Sequence, residues 1–383
     1  MKTESTEITY EYSLEQLSSD QILDIPIELK NLYDNLPENK KDVFRYALNL
    51  FINKLNLSPK TAYRNVLDIF DETESKIEFH HNFIYDDLSK SKRIIEIGCG
   101  WGNFLQFLSS NHCFDTVYAI DYVIEHVVST KLLNKDATVI RSDACDMNLV
   151  PSDFFDFVIL RGVIEHIGDH NIPIGKSGKN IKHQYKAIQE ISRVLKQNGK
   201  LFLSTGNYLF PRDGEIHTWL YHWLPDGEKK KYNIKKGITP DKYWLLNWEE
   251  LIFILHSCGL SIEKVICPIE NNPLAYQMIE SLDKSMIELD EDMKKIWRRL
   301  IEVDPHFFPN WNIIARKSSP DEEIKIKDNL CYNARINGDS CNLLLENEIL
   351  KQKICGYNIP ILSYFIKKQI SLSELISKKI NFR

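Results

Sequence analysis

Short apolar runs recur between Arg93 and Ser204, each about one strand long and each followed by apolar residues at helical spacing. Arg93–Ile97, Thr116–Asp121, Ala137–Ala144 and Phe155–Gly162 are the first four. Glu190–Leu195 closes a helix, and the chain then turns at Gly199 into a fifth strand ending at Ser204. A βαβ alternation of this kind implies a parallel sheet. The rhythm resumes with a helix over Asn247–Cys258 that stops at Gly259. Leu260–Ile266 then predicts strand six and Trp311–Arg316 strand seven, with one long helix or two shorter ones over Pro273–Val303. Residues 205–243 break the pattern as an insert rich in Trp, Tyr, His and Pro.

Both ends carry extensions. Lys41–Ile52 has an apolar stripe at helical spacing. Ser58-Pro59 predicts a further helix start, with Ser as the cap and Pro in the first turn. This helical region is expected to be either a cap on the sheet or a lid over the substrate. Beyond Ser318, residues 351–383 hold seven Lys/Arg and one acid, Glu374, a local net charge of +6. Such a tail can lie on an anionic membrane surface, pack on the domain as a solvated helix, or make a dimer contact.

The first strand runs into Glu96-Ile-Gly98-Cys-Gly100-Trp-Gly102-Asn103. Three glycines let the backbone turn sharply and approach a ligand, and the free N–H groups of the next helix face the crevice at the strand's carboxyl end. A carboxylate two residues before the first glycine would repel a pyrophosphate but can accept from a cationic amino group. That suits S-adenosylmethionine better than a dinucleotide, and Asn103 stands where the third glycine of a dinucleotide-binding G-x-G-x-x-G would fall. Strand two ends in Asp121, placed for the ribose hydroxyls. Strand three ends near Asp143, able to accept from the adenine amino group. Strand four leads into Val163-Ile-Glu165-His166-Ile167, read as the opening of a helix.

Taken in order, these segments resemble the class I, Rossmann-like S-adenosylmethionine-dependent methyltransferases over about residues 75–317. The resemblance implies a seven-stranded, mostly parallel α/β sheet with strand seven antiparallel between strands five and six. It implies a helical N-terminal region over 1–75, a donor-binding domain over 76–317 with the 205–243 insert, and a C-terminal extension over 318–383. It also implies that Glu96 orients the methionyl amino group and that Gly98, Gly100 and Gly102 close on the methionyl and ribose parts. Asp121 would hold the ribose diol, Tyr122 pack on the adenine, and Asp143 with Ala144 bind the adenine edge. The backbone around Leu160 and Arg161 would complete the methionyl end. Where the family usually has Pro-Gly-Gly this chain reads Gln197-Asn198-Gly199, and Gly199 is expected to keep the turn.

Composition narrows the partners. With 383 residues, a formal net charge of -6 and pI about 6.0, nucleic acid is not the expected partner, because binding there rests on neutralising phosphates. The eight cysteines are scattered without a Cys-x-x-Cys pair, so no zinc site is expected and a reducing cytoplasm is the expected home. The first residues have neither the basic start nor the apolar run of a signal peptide.

The acceptor side is carried by two segments. His166 follows strand four beside the expected methyl position, as a base or as a brace for its loop. Asn207–Pro225 gathers Glu215, His217 and His222 with several aromatics. It resembles an insert of some bacterial methyltransferases associated with glycan or lipid-glycan pathways. Glu215 and His217 could pair as orienting acid and base, bind a divalent ion with one more ligand, or belong to a closed aromatic core. Arg161 and Arg212 are candidates for an acceptor phosphate or carboxylate. The expected function is methyl transfer to a small-molecule or carbohydrate acceptor, at oxygen. A methyltransferase on RNA or protein and a cofactor-binding non-catalytic interaction protein are the alternatives.

Overall fold

The structure, a computed structural model, describes residues 26–70, 74–168, 181–207, 226–236, 244–246, 248–265 and 310–318, with two short strands at 336–337 and 340–341. Seven strands form one sheet: β1 (Arg93–Ile97), β2 (Thr116–Asp121), β3 (Thr138–Arg141), β4 (Phe155–Arg161), β5 (Leu195–Gly206), β6 (Leu260–Val265) and β7 (Asn310–Lys317). Their order is β3-β2-β1-β4-β5-β7-β6. β1 to β5 run parallel, and β7 lies antiparallel between β5 and β6. This is the expected Rossmann-like topology. The order reverses between β1 and β4, so a crevice opens at their carboxyl ends.

The central strands are apolar on both faces because helices cover both. Ile94, Ile95, Phe157, Val158, Ile159, Leu201, Phe202 and Leu203 are all fully buried. The helix Ile181–Val194 buries Ile181, Gln184, Ala187, Ile188, Ile191 and Val194, one face of a helical wheel. At the base of β1, the Asp156 carboxylate accepts from the N–H groups of Lys92 (3.0 Å) and Arg93 (2.8 Å) and pairs with Lys196 at 2.5 Å. These contacts lock β1 to β4 at the end opposite the crevice.

Two local expectations are corrected. The helix Ile181–Val194 passes straight into β5, and the left-handed residue of the Gln197-Asn198-Gly199 turn is Asn198, with φ 64. Gly199 is required for space instead, since an added Cβ would lie 2.8 Å from the Lys196 carbonyl and 3.0 Å from that of Phe155. The segment after β4 is a single 3₁₀ turn, Ile164–His166, rather than the opening of a longer helix.

Ahead of the sheet, helices Ile27–Asn35, Glu38–Asn49, Pro59–Phe70 and Glu74–Leu88 follow one another, and Glu38–Asn49 continues as a π-helical turn, Leu50–Lys54. Ser58 caps the third helix, accepting from the Thr61 N–H at 3.3 Å. The first three enclose their own core of Leu29, Phe44, Ala47, Leu48, Leu50, Phe51, Ala62, Val66 and Ile69. Helix Glu74–Leu88 instead gives Phe83, Ile84 and Leu88 to the sheet's core. Among the described residues no helix is long and apolar enough to cross a membrane. The readings of Pro273–Val303 and of the basic tail fall outside the described residues.

Candidate functional site

The glycine turn is built as its spacing requires. Gly98, Gly100 and Gly102 take φ of 70, 54 and 85, and Gly102 is the N-cap of the helix Asn103–Asn111. The three differ in what surrounds them. A Cβ on Gly98 would lie 2.2 Å from a methyl of Val163, and one on Gly102 would lie 2.8 Å from Thr130 Cα. A Cβ on Gly100 would meet nothing within 4 Å, and the same holds for Gly162, φ 65, at the end of β4. The outer two glycines are therefore needed by the fold. Gly100 and Gly162 face open space on either side of the crevice, and such a cradle admits a ligand against bare backbone.

Backbone and side chains from β2 and the following helix hold this turn. The N–H groups of Gly98 and Cys99 donate to the Ile120 carbonyl at 2.7 and 3.1 Å. The Thr130 hydroxyl donates to the Gly100 carbonyl at 3.0 Å, and the Asn134 amide to that of Gly102 at 3.2 Å. Asp121, 8% exposed, accepts from Gly100 N–H through Oδ2 (2.9 Å) and from Val123 N–H through Oδ1 (2.9 Å). His126 Nδ1 lies 3.3 Å from the same Oδ2. The carboxylate is thus fixed by three neighbours at the carboxyl end of β2.

The other expected donor residues fall into distinct environments. Glu96 is buried in β1, at 2% exposure. Tyr122 leaves its ring 64% exposed just past Asp121, with the Arg141 guanidinium 5.9 Å from its centroid. Asp143 is exposed, and its Oδ1 accepts from the Cys145 N–H at 2.8 Å. Ala144 is partly buried against Cys145, Ile167 and Ala187. Leu160 is fully buried in the core, so only its backbone reaches the crevice. Arg161 ends β4 with its guanidinium 4.2 Å from the centroid of the Phe104 ring. These residues, a carboxylate beside an open glycine cradle and an exposed ring, are groups that could hold an adenosine-bearing ligand.

On the acceptor side, His166 closes the 3₁₀ turn, half-buried, its N–H donating to the Val163 carbonyl at 2.9 Å. Glu215, His217 and His222, with Arg212, lie outside the described residues. Asn207, which precedes that segment, forms a parallel bridge with Leu246. Among the described residues no group of three or more His, Cys, Asp or Glu could hold a metal ion.

Several site residues escaped the sequence reading. Glu165 is buried at the carboxyl ends of β4 and β5, where the Thr205 hydroxyl donates to its Oε2 at 2.9 Å. Burial pushes its carboxyl above the ordinary value, against the pull of its own and the Gly206 N–H groups, His166 and Thr205. The V-I-E-H-I segment contained the signal, but a helix-start acid reads as solvated. Trp101 was also missed. Its ring meets Phe51 of the N-terminal helices and His126, at centroid distances of 6.0 and 5.4 Å. Cys99 is a free buried thiol, pushed well above its usual range by burial and by Glu96.

Residues 70–237 match a family described as a methyltransferase domain. A cyclopropane-fatty-acyl-phospholipid synthase of Escherichia coli is 29% identical over 85 residues, 22% of this chain and 21% of that protein. The match thus spans about a fifth of the relative's length. Among solved structures, a protein from Pyrococcus horikoshii OT3 is 15% identical with a TM-score of 0.43, covering 65% of this chain and 92% of that one. The N-methyltransferase NodS from Bradyrhizobium japonicum WM9, solved with S-adenosyl-L-homocysteine, is 14% identical with a TM-score of 0.37, covering 65% and 90%.

Proposed function

We propose that this chain, whose residues 70–237 match a methyltransferase-domain family, is an S-adenosylmethionine-dependent methyltransferase that transfers a methyl group to a small-molecule or carbohydrate acceptor, at oxygen. The observation that carries the donor half is the juxtaposition of Asp121, bonded to Gly100 N–H at 2.9 Å, with the open face of Gly100 at the switch point of the sheet. S-adenosylmethionine supplies an electrophilic methyl on a sulfonium. The protein's part is to bind the donor, align the acceptor, exclude water and take up the acceptor's proton.

Asp121 holds the ribose, Tyr122 covers the adenine, Asp143 and Ala144 meet its edge, and Glu96 takes the methionyl amino group. His217 is the preferred base, oriented by Glu215 and accompanied by His222, with His166 as the alternative. Support for His166 is its place on the turn between β4 and the crevice. The negative formal charge of the chain supports an acceptor other than nucleic acid.

Calorimetry with S-adenosylhomocysteine against NAD tests the donor. S-adenosylhomocysteine should bind and NAD should not. Asp121→Ala should cost about 1.5–3 kcal/mol of that affinity, the scale for hydrogen bonds to a charged group. Binding of NAD alone, or an unchanged dissociation constant in folded Asp121→Ala, would remove the reading. Product mass and linkage after incubation with candidate glycans then test the acceptor.

A further inference from the structure

The excursion that follows β5 carries a basic face that neither the donor nor the acceptor reading uses. Asn207, just past β5, bridges in parallel to Leu246, and the Trp244 N–H donates to the Glu165 carbonyl at 2.6 Å. The chain therefore leaves and rejoins the domain at the carboxyl end of the sheet, the end that holds the crevice. Between those points runs the helix Asp226–Lys236. It has five lysines and two acids, a local net charge of +3 on a chain whose formal net charge is -6. Both acids, Asp226 and Glu228, sit in the first turn, where they complement the helix dipole, and the lysines follow.

Helical spacing sorts this helix into two sides. Asn233, 7% exposed, and the partly buried Tyr232 lie against the protein. Ile234 points away from it and is 73% exposed. Lys230, one turn earlier, and Lys231, three residues earlier, share its side, and Lys235 follows beside it; all three are exposed. A lone exposed isoleucine is common on a protein surface. This one stands among cations, whose methylene stems widen its apolar footprint while their ammonium groups reach past it. A nucleic-acid backbone would satisfy the lysines and leave the isoleucine in water. An anionic bilayer satisfies both, with headgroup phosphates for the ammonium groups and the acyl boundary for the isoleucine. We propose that the outer face of the helix Asp226–Lys236, Ile234 with Lys230 and Lys235, docks on an anionic phospholipid surface and holds the crevice end of the sheet to it. The inference goes beyond the donor and acceptor readings and needs neither.

The test is co-sedimentation of the full chain with vesicles of phosphatidylcholine and phosphatidylglycerol in equal parts, against vesicles of phosphatidylcholine alone. The protein should bind the mixed vesicles in preference to the neutral ones and dissociate as salt is raised. Lys230→Gln/Lys235→Gln should weaken binding roughly 25-fold, about fivefold for each lysine lost near an anionic surface. Ile234→Ser should weaken it about tenfold. Both variants should melt as the wild type does, because the replaced side chains are exposed. Absence of wild-type binding, equal binding to both vesicles, or helix variants that bind as the wild type does would overturn the proposal. So would loss of binding in Lys367→Glu/Lys368→Glu with the helix variants unaffected, which would give the contact to the basic tail. Tighter binding to a duplex RNA than to the mixed vesicles would equally overturn it.

Discussion

Trp101, in the middle of the glycine turn, meets Phe51 of the N-terminal helices edge-on at 6.0 Å between centroids. The contact joins the helical extension to the donor crevice. Asn103, the first residue of the following helix, reinforces it by donating to the Ile69 carbonyl at 2.9 Å. On its other side Trp101 meets His126, whose Nδ1 is 3.3 Å from Asp121. The N-terminal helices therefore back the glycine turn whose Gly100 N–H donates to Asp121.

Phe51 is nearly buried in that interface, so Phe51→Ala should destabilise the protein by about 3 kcal/mol, at the low end for removing a buried phenyl. It should also weaken S-adenosylhomocysteine, because Trp101 loses its support. Leu55, 53% exposed, is the control, and Leu55→Ala should change stability by less than about 0.5 kcal/mol. Denaturant unfolding and calorimetry read the two effects. Unaltered ligand affinity in a destabilised Phe51→Ala would confine these helices to a passive cap.

The glycines separate fold from binding. Gly100→Ala places its methyl in open space, at the cost of a left-handed non-glycine residue, about 1–2 kcal/mol. The protein should stay folded and lose most of its donor affinity. Gly98→Ala drives its methyl to 2.2 Å from Val163, so it should unfold at markedly lower temperature before any binding can be measured. Melting curves with and without S-adenosylhomocysteine distinguish them. Normal ligand-induced stabilisation of Gly100→Ala would exclude the ligand from that cradle.

Acid should loosen the protein before its ion-paired carboxylates titrate. His81 and His112 face each other through their Nε2 atoms at 2.8 Å, and burial lowers both from the ordinary value of 6.5, with His112 also lowering His81. Burial lowers His256 likewise. Below about pH 6.5 the unfolded chain binds protons that the folded one does not yet take, so stability falls as pH falls. Asp156, Glu190 and Glu263 have lowered values, so their contributions are lost only further down, below about pH 4.5. Thermal midpoints between pH 7.5 and 5.5 should therefore decline, and less so in His81→Gln/His112→Gln. An identical decline in that double variant would locate the effect elsewhere.

Sequence rhythm sufficed for the sheet because its central strands β1, β4, β5 and β7 are largely buried on both faces, and such strands read as unbroken apolar runs. The glycine turn and Asp121 were legible because strand ends at a switch point have few alternatives. What remained hidden depends on register. That Asn198 rather than Gly199 turns the chain goes with the pairing of Phe155 with Leu195, three residues before the partner that the register of Phe157 with Lys200 would give it. That Trp101 meets Phe51 depends on a contact between distant segments that no local period encodes.

Glu165 is the clearest such case, and its burial yields the last prediction. It is held where β4 and β5 end, by Thr205 and by N–H groups of Glu165 and Gly206, while its own carbonyl accepts from the Trp244 N–H at 2.6 Å. Its folded value is raised above the ordinary 4.5. The stability linked to it is therefore present in acid and is lost as pH rises through the folded value. Glu165→Gln keeps an oxygen for Thr205 and removes the charge, so its stability relative to wild type should improve as pH rises from 5 to 8. Glu165→Ala instead leaves the Thr205 hydroxyl and the backbone donors without their acceptor and opens a cavity. It should cost about 2–4 kcal/mol at either pH. Paired denaturation curves at the two pH values decide the matter. A Gln variant that loses stability relative to wild type as pH rises would mean that Glu165 is ionised in the fold and held there by those donors.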